Sequence, residues 1–209
     1  MRLVKKLLAR ENRFSTLLKA SAEEVQANVK ALDQLLNSAS PAVSLKAFLQ
    51  SRAKEQEIKA EIDSLLCQGH RTPLEHADVE ALARLLNRTV KGLRKFAERY
   101  LICGPHIRDV SFGKEIQLLV AASAVLHQMV ASLGAGPRVA TAKTHNDELQ
   151  KIEADADSLI VEHVVAIYQG RYEPMKSIMV KDLYEQLDRV FARCRSAGDL
   201  VLQIVLKNS

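Results

Sequence analysis

The sequence predicts an all-α fold, and three observations carry that expectation. Aromatic residues make up 4% of the 209 positions and Trp is absent, whereas strands favour aromatic and β-branched side chains. The eight Gly and five Pro are few and mostly separate long runs of helix formers. Within those runs apolar residues recur at three and four, the spacing of one helix face. No convincing alternation of the strand kind interrupts them.

Punctuation divides the chain into six helical segments. The first runs from about Glu11 to Asn37 and stops at Ser38-Ala39-Ser40-Pro41, since proline cannot continue a helix. The second covers about Ser44 to Gln68, closed by Gly69 and Thr72-Pro73, and the third about Glu75 to Ile102, closed by Gly104-Pro105. The fourth is an uncharged stretch from Ile116, ended by Gly134-Ala135-Gly136-Pro137. The fifth spans about Asn146 to Gln169, with Gly170 and Pro174 as the stop, and the sixth about Ser177 to Leu206. On the fifth the apolar stripe includes Leu149, Ile152, Ala156, Ile160 and Ile167; on the sixth, Leu183, Leu187, Val190, Cys194 and Val201. Long helices joined by short turns pack as an antiparallel bundle.

Composition bounds the class. A chain of this length is usually one domain, and 47% hydrophobic with 26% charged residues suits a soluble globular protein. Cys67, Cys103 and Cys194 are odd in number and lack metal-type spacing, so reduced cytosolic thiols are expected. The net charge of +5 is spread along the chain without a basic helix face, which argues against nucleic-acid binding. Lys5 and Lys6 break what a signal peptide needs, and Leu3, Val4, Leu7 and Leu8 read as a helix start rather than a membrane-surface anchor. From Ile116 to Pro137 no Asp, Glu, Lys or Arg occurs, which is long enough for a bilayer. Gln117, Ser123, His127, Gln128 and Ser132 interrupt it, so a buried helix or subunit contact is the better reading.

An offset of 101 suggests an internal repeat. It takes Pro73 to Pro174, Ile58 to Leu159, Leu66 to Ile167 and Leu86 to Leu187. Two three-helix units in one domain are expected, about 10–104 and 110–209.

The candidate site is acidic. Glu153 and Asp157 lie four apart on the fifth segment, so both point from one helix face, and like charges there repel by about 0.2–0.5 kcal/mol. Asp188 lies beside the apolar stripe of the sixth. Three carboxylates on facing helices can hold a hard or borderline cation such as Mg, Mn, Fe or Zn. The bland alternative is a solvated flank ion-paired to Lys151, Arg189 or Arg193. At the offset, Glu153 and Asp157 correspond to Arg52 and Gln56, while Asp188 and Ala192 correspond to Asn87 and Lys91.

Other clusters read as structure. His76-Ala77-Asp78-Val79-Glu80 fits a helix start, where acidic residues are favoured. No Glu has His three residues later, so a ferritin-like di-iron centre is not supported. His163 falls on the apolar stripe and reads as a packed histidine. No recognisable triad and no phosphate-cradling glycine loop is present, and nothing requires an enzyme.

Glu11-Asn12-Arg13-Phe14, Thr72-Pro73-Leu74 with Asp78-Val79, Ile152 to Leu159, Lys181-Asp182-Leu183-Tyr184-Glu185 and Ile204-Val205-Leu206-Lys207-Asn208 share an order and spacing with one family. In these the chain resembles, nearly end to end, the PhoU-like phosphate-transport regulators, and among them the Pit accessory branch. The resemblance implies two repeated three-helix bundles, no catalysis and a role in controlling inorganic phosphate uptake. Such proteins carry paired carboxylates on two helices of each repeat, which hold multinuclear metal clusters. Here Arg52, Gln56, Asn87 and Lys91 replace them in the first repeat. The second keeps Glu153, Asp157 and Asp188 and has Ala192 in the last place. The resemblance therefore implies no first site and at most one divalent or iron-type ion in the second.

The leading expectation is a non-enzymatic cytoplasmic accessory of a phosphate transporter, working by protein contact at the inner membrane face. A helical adaptor that binds another protein through the uncharged fourth helix is the alternative. That same helix suggests a homo-oligomer.

Overall fold

The computed structural model describes residues 2–37, 42–68, 74–136 and 138–209, with side chains from 13 and 46 onward in the first two helices. The expected stops at 38–41 and 69–73, Thr72-Pro73 among them, and Pro137 lie outside the described residues, as do the side chains of the basic opening segment.

Six α-helices make up the described residues: α1 Arg2–Asn37, α2 Ala42–Cys67, α3 His76–Cys103, α4 Gly113–Ser132, α5 Val139–Tyr168 and α6 Pro174–Lys207. Several boundaries differ from expectation, that of α1 among them, which runs from Arg2 and not from about Glu11. Gly104-Pro105 does not end order outright, because Gly104–His106 continues as a 3-10 turn, a common form at helix ends. α5 begins near Val139 and not Asn146: Ala142 N–H reaches the carbonyl of Arg138 at 3.0 Å, closing a first turn through a run read from sequence as loop.

The α5–α6 turn follows from its residues. Gly170 takes φ +84°, which costs glycine nothing sterically. Gly170 N–H then reaches Ile167 O at 3.0 Å, and Arg171 N–H reaches Ala166 O at 3.1 Å. These are the two bonds of a Schellman cap, which satisfies the last carbonyls of α5. Pro174 opens α6, where its missing N–H has no helical partner to lose.

α1, α3, α4 and α6 form the central bundle, with α1 packed on α3 and α4, and α6 on α3 and α4. α2 covers α1 and α3, and α5 covers α4 and α6. The buried stripe of α6 runs through Val180, Leu183, Leu187, Val190, Phe191, Cys194 and Val201, and each large aliphatic side chain there contributes about 1.5–3 kcal/mol. α4 is long and apolar enough to cross a membrane by length and composition, yet half of its most apolar window is buried among its neighbours. Ile116, Leu119, Leu126 and Val130 face the core.

Glycine permits two close approaches. A Cβ on Gly92 of α3 would stand 2.9 Å from Val190 Cγ2 of α6, and one on Gly198 of α6 would stand 2.5 Å from Leu149 Cδ1 of α5. The ends are tied as well: Lys207 Nζ, in the last turn of α6, donates to Asp78 Oδ2 at 2.9 Å and Glu75 Oε2 at 3.0 Å at the start of α3. Each charge lies at the helix end whose dipole it opposes.

Candidate functional site

Because α5 covers α6, the α5–α6 face carries the acidic residues singled out by sequence. Asp157 and Asp188 come near one another: burial raises the Asp188 carboxyl, and ionised Asp157 raises it further, against the pull of Arg189. Glu153 is half-buried one turn before Asp157. Two of the three cations expected to neutralise this face make hydrogen bonds to other groups. Arg189 donates to Glu185 at 3.2 Å, and Arg193 donates to the Arg88 carbonyl at 2.9 Å. Among the described residues no group of three or more His, Cys, Asp or Glu converges in a way that could hold a metal.

His163 lies deeper between α4, α5 and α6. Its ring stacks on Tyr184 with centroids 4.7 Å apart and planes 11° from parallel. Its Nε2 is 3.0 Å from Oε1 of Glu115, whose side chain is 1% exposed. The pair is close enough for an ion pair but is not aligned as a hydrogen bond. His163 thus packs, partly exposed, opposite a buried carboxylate.

The α2–α3 face is built differently. Arg52 and Gln56 from α2 meet Asn87 and Lys91 from α3 around a cavity of about 90 Å³, completed by Glu55, Val90 and Arg94. The four positions paired by the offset thus converge, and their charge is positive. Arg52 and Lys91 are exposed, and neither makes an ion pair among the described residues.

Glu55 escaped the sequence reading. It is 2% exposed and belongs to a buried polar seam between α1 and α2. Ser21 Oγ donates to Glu55 Oε1 at 2.7 Å, and Ser51 Oγ donates to Glu24 Oε2 at 2.6 Å. Asn28 Nδ2 donates to Ser51 Oγ and, at 2.7 Å, to the Glu24 carbonyl, while Lys54 pairs with Glu24. Burial pushes the Glu55 carboxyl up to about 7, partly opposed by the Ser21 hydroxyl and raised further by nearby Glu24. Glu55 Oε2 and Arg94 Nε are both buried and make no hydrogen bond, although Asn87 lies near enough to the carboxylate to lower its pKa slightly. An unsatisfied buried group of this kind costs about 1–3 kcal/mol. One signal was available: Ser21, Glu24 and Asn28 recur at three and four along the apolar stripe of α1.

Comparison with known proteins agrees with the helical layout. No family model matches the chain. Over 216 residues it is 23% identical to the "Putative pit accessory protein" of Rhizobium meliloti (strain 1021), spanning 99% of this chain and 98% of that one. The crystal structure of a PhoU-like protein from Shewanella oneidensis MR-1 superposes with a TM-score of 0.71 at 16% identity, covering 96% of this chain and 99% of that one. A second structure from the same organism, of a "putative PhoU-like phosphate regulatory protein", gives a TM-score of 0.69 at 16% identity, covering 93% and 96%. The chain has the PhoU-like fold, and its similarity to the pit accessory protein is distant but runs the full length.

Proposed function

We propose that this chain is a non-enzymatic regulator or accessory of inorganic phosphate transport, acting in the cytoplasm by contact with a phosphate transporter. The observation that carries the reading is the end-to-end match to a pit accessory protein, 99% of one chain against 98% of the other. The PhoU-like fold agrees with it.

A contact surface of suitable chemistry exists at the α5–α6 turn. Val161, Val165 and Tyr168 near the end of α5, and Met175 and Ile178 at the start of α6, are large apolar residues with 47% to 73% of their surface exposed. α4, where the adaptor alternative placed its surface, contributes no exposed large hydrophobic among the described residues. Apolar groups on facing ends of two adjacent helices suit a protein partner. In this reading the two three-helix units, 10–104 and 110–209, divide the labour. The second keeps Glu153, Asp157 and Asp188 for a single weakly held metal ion, and the first has lost the equivalent site.

The experiment is recovery of the tagged full chain from detergent-solubilised membranes. Co-recovery of a phosphate permease, lost on Tyr168→Asp with Ile178→Asp, is the expected result. Recovery of soluble partners alone would overturn this reading in favour of the adaptor. Light scattering of the purified chain tests the expected homo-oligomer.

A further inference from the structure

The α2–α3 cavity combines three features that together specify a ligand. It is cationic, with Arg52 and Lys91 unpaired among the described residues, so it repels the metal ions held by acidic sites. One lining residue, Arg94, pairs with Glu98 through Nη1 and has a second donor, Nε, that is buried without a hydrogen-bond partner. Another, Glu55, is 2% exposed and has a carboxylate oxygen, Oε2, that is buried without a hydrogen-bond partner. Simple anions satisfy the first two features and clash with the third. We propose that this cavity binds a tetrahedral oxyanion that carries a hydrogen, of the inorganic phosphate class.

The chemistry is a proton shared between site and ligand. With Glu55 ionised, the hydroxyl of a hydrogen phosphate donates to Oε2 while other phosphate oxygens accept from Arg94 Nε–H, Arg52 and Lys91. With Glu55 protonated, its own O–H donates to a phosphate oxygen instead. Sulfate brings no hydrogen near neutral pH, so it fits only the protonated site. The groups that face Glu55 are Ser21 and Glu24 from α1, Lys54 on its own helix, and Asn87 from α3. Lys54 is occupied by Glu24, so neither compensates the carboxylate fully. The cavity volume of about 90 Å³ favours a free ion over a bulky ester. At the offset of 101, Glu55 corresponds to Ala156, which is fully buried in the core, so this chemistry is confined to the first half.

Titration calorimetry on the full-length, chelator-treated chain tests the proposal with sodium phosphate, sodium sulfate and glycerol 3-phosphate near pH 6 and pH 8. Phosphate is expected to bind saturably at one site per chain at both values. Sulfate is expected to weaken by about tenfold at the higher pH, as the protonated fraction of a group titrating at about 7 falls. Arg52→Gln with Lys91→Gln changes only exposed positions and is expected to weaken phosphate by at least about tenfold. Glu55→Gln, an isostere, is expected to remove the pH dependence of sulfate. Absence of saturable phosphate binding, or binding unchanged in the double variant, overturns the site. Binding of glycerol 3-phosphate alone overturns the inorganic assignment in favour of a phosphorylated partner. The proposal stands on the cavity and not on the transport reading: permease recovery without phosphate binding, or the reverse, separates the two.

Discussion

The hydroxyl of Ser21 donates to Oε1 of Glu55 across the α1–α2 contact over 2.7 Å, while Oε2 of the same carboxylate accepts nothing. One hydrogen bond does not offset burial, and the carboxyl titrates near 7 instead of 4.5. The folded state therefore keeps a proton that the unfolded chain releases between those values. Stability from this group is fully present below about pH 4.5 and lost as pH rises through about 7. The loss should approach roughly 3 kcal/mol by pH 8, at 1.36 kcal/mol per unit. Urea midpoints of the wild type and Glu55→Gln measured from pH 5 to 8 check it. The gap between the two proteins must change in favour of the variant as pH rises, and a constant gap refutes the assignment.

Glycine 198 should resist substitution that its helical setting would otherwise welcome. Mid-helix Gly→Ala usually stabilises by roughly 0.5–1 kcal/mol. Here a Cβ would meet Leu149 Cδ1 at 2.5 Å and Asn146 Oδ1 at 3.3 Å in the packed α5–α6 contact. Gly198→Val is expected to cost about 1–3 kcal/mol through overpacking. Gly113→Ala, whose nearest neighbour lies at an ordinary 3.5 Å, should be neutral or slightly stabilising. Thermal melts of the two variants decide it.

How far these features were legible from sequence depends on which forces set them. The helices were readable because burial imposes a 3.6-residue period, visible in Leu183, Leu187, Val190 and Cys194. The start of α5 was not, since Val139 to His145 carries two Thr and a His and buries only Ala142, so no apolar stripe marks it. Stripe position and the offset single out Glu153, Asp157 and Asp188 together, and of these Asp157 is near enough to Asp188 to raise its carboxyl. Glu55 was invisible for the opposite reason. One residue from Gln56, it reads as another helix-surface charge until α1 places Ser21 against it. Partners distant in sequence cannot be inferred from periodicity on one helix.

His163 should be worth more than its half-exposed position suggests. Removing it strands Glu115, 1% exposed at its side chain, without the imidazole 3.0 Å away, and also deletes the stack on Tyr184. Leaving a buried polar group without its neighbour costs about 1–3 kcal/mol, and His163→Ala is expected within that range. In a Glu115→Gln background the same substitution should cost clearly less, because no carboxyl remains to be stranded. A double-mutant cycle in urea measures the difference; simple additivity would refute the coupling.

Metal content separates the two halves of the molecule. The α2–α3 face brings Arg52 and Lys91 to the cavity where a cation would have to sit, and unpaired cations at a few ångströms oppose a divalent ion strongly in a partly desolvated site. The α5–α6 face instead gathers Asp157 and Asp188, with Glu153 one turn away and Arg189 drawn off to Glu185. Untagged protein reconstituted with Fe, Mn or Zn is therefore expected to retain no more than one ion per chain. Asp157→Asn or Asp188→Asn should abolish that retention, whereas Arg52→Gln with Lys91→Gln should leave it unchanged. Elemental analysis after desalting reads the count, and two multinuclear clusters per chain would refute the division.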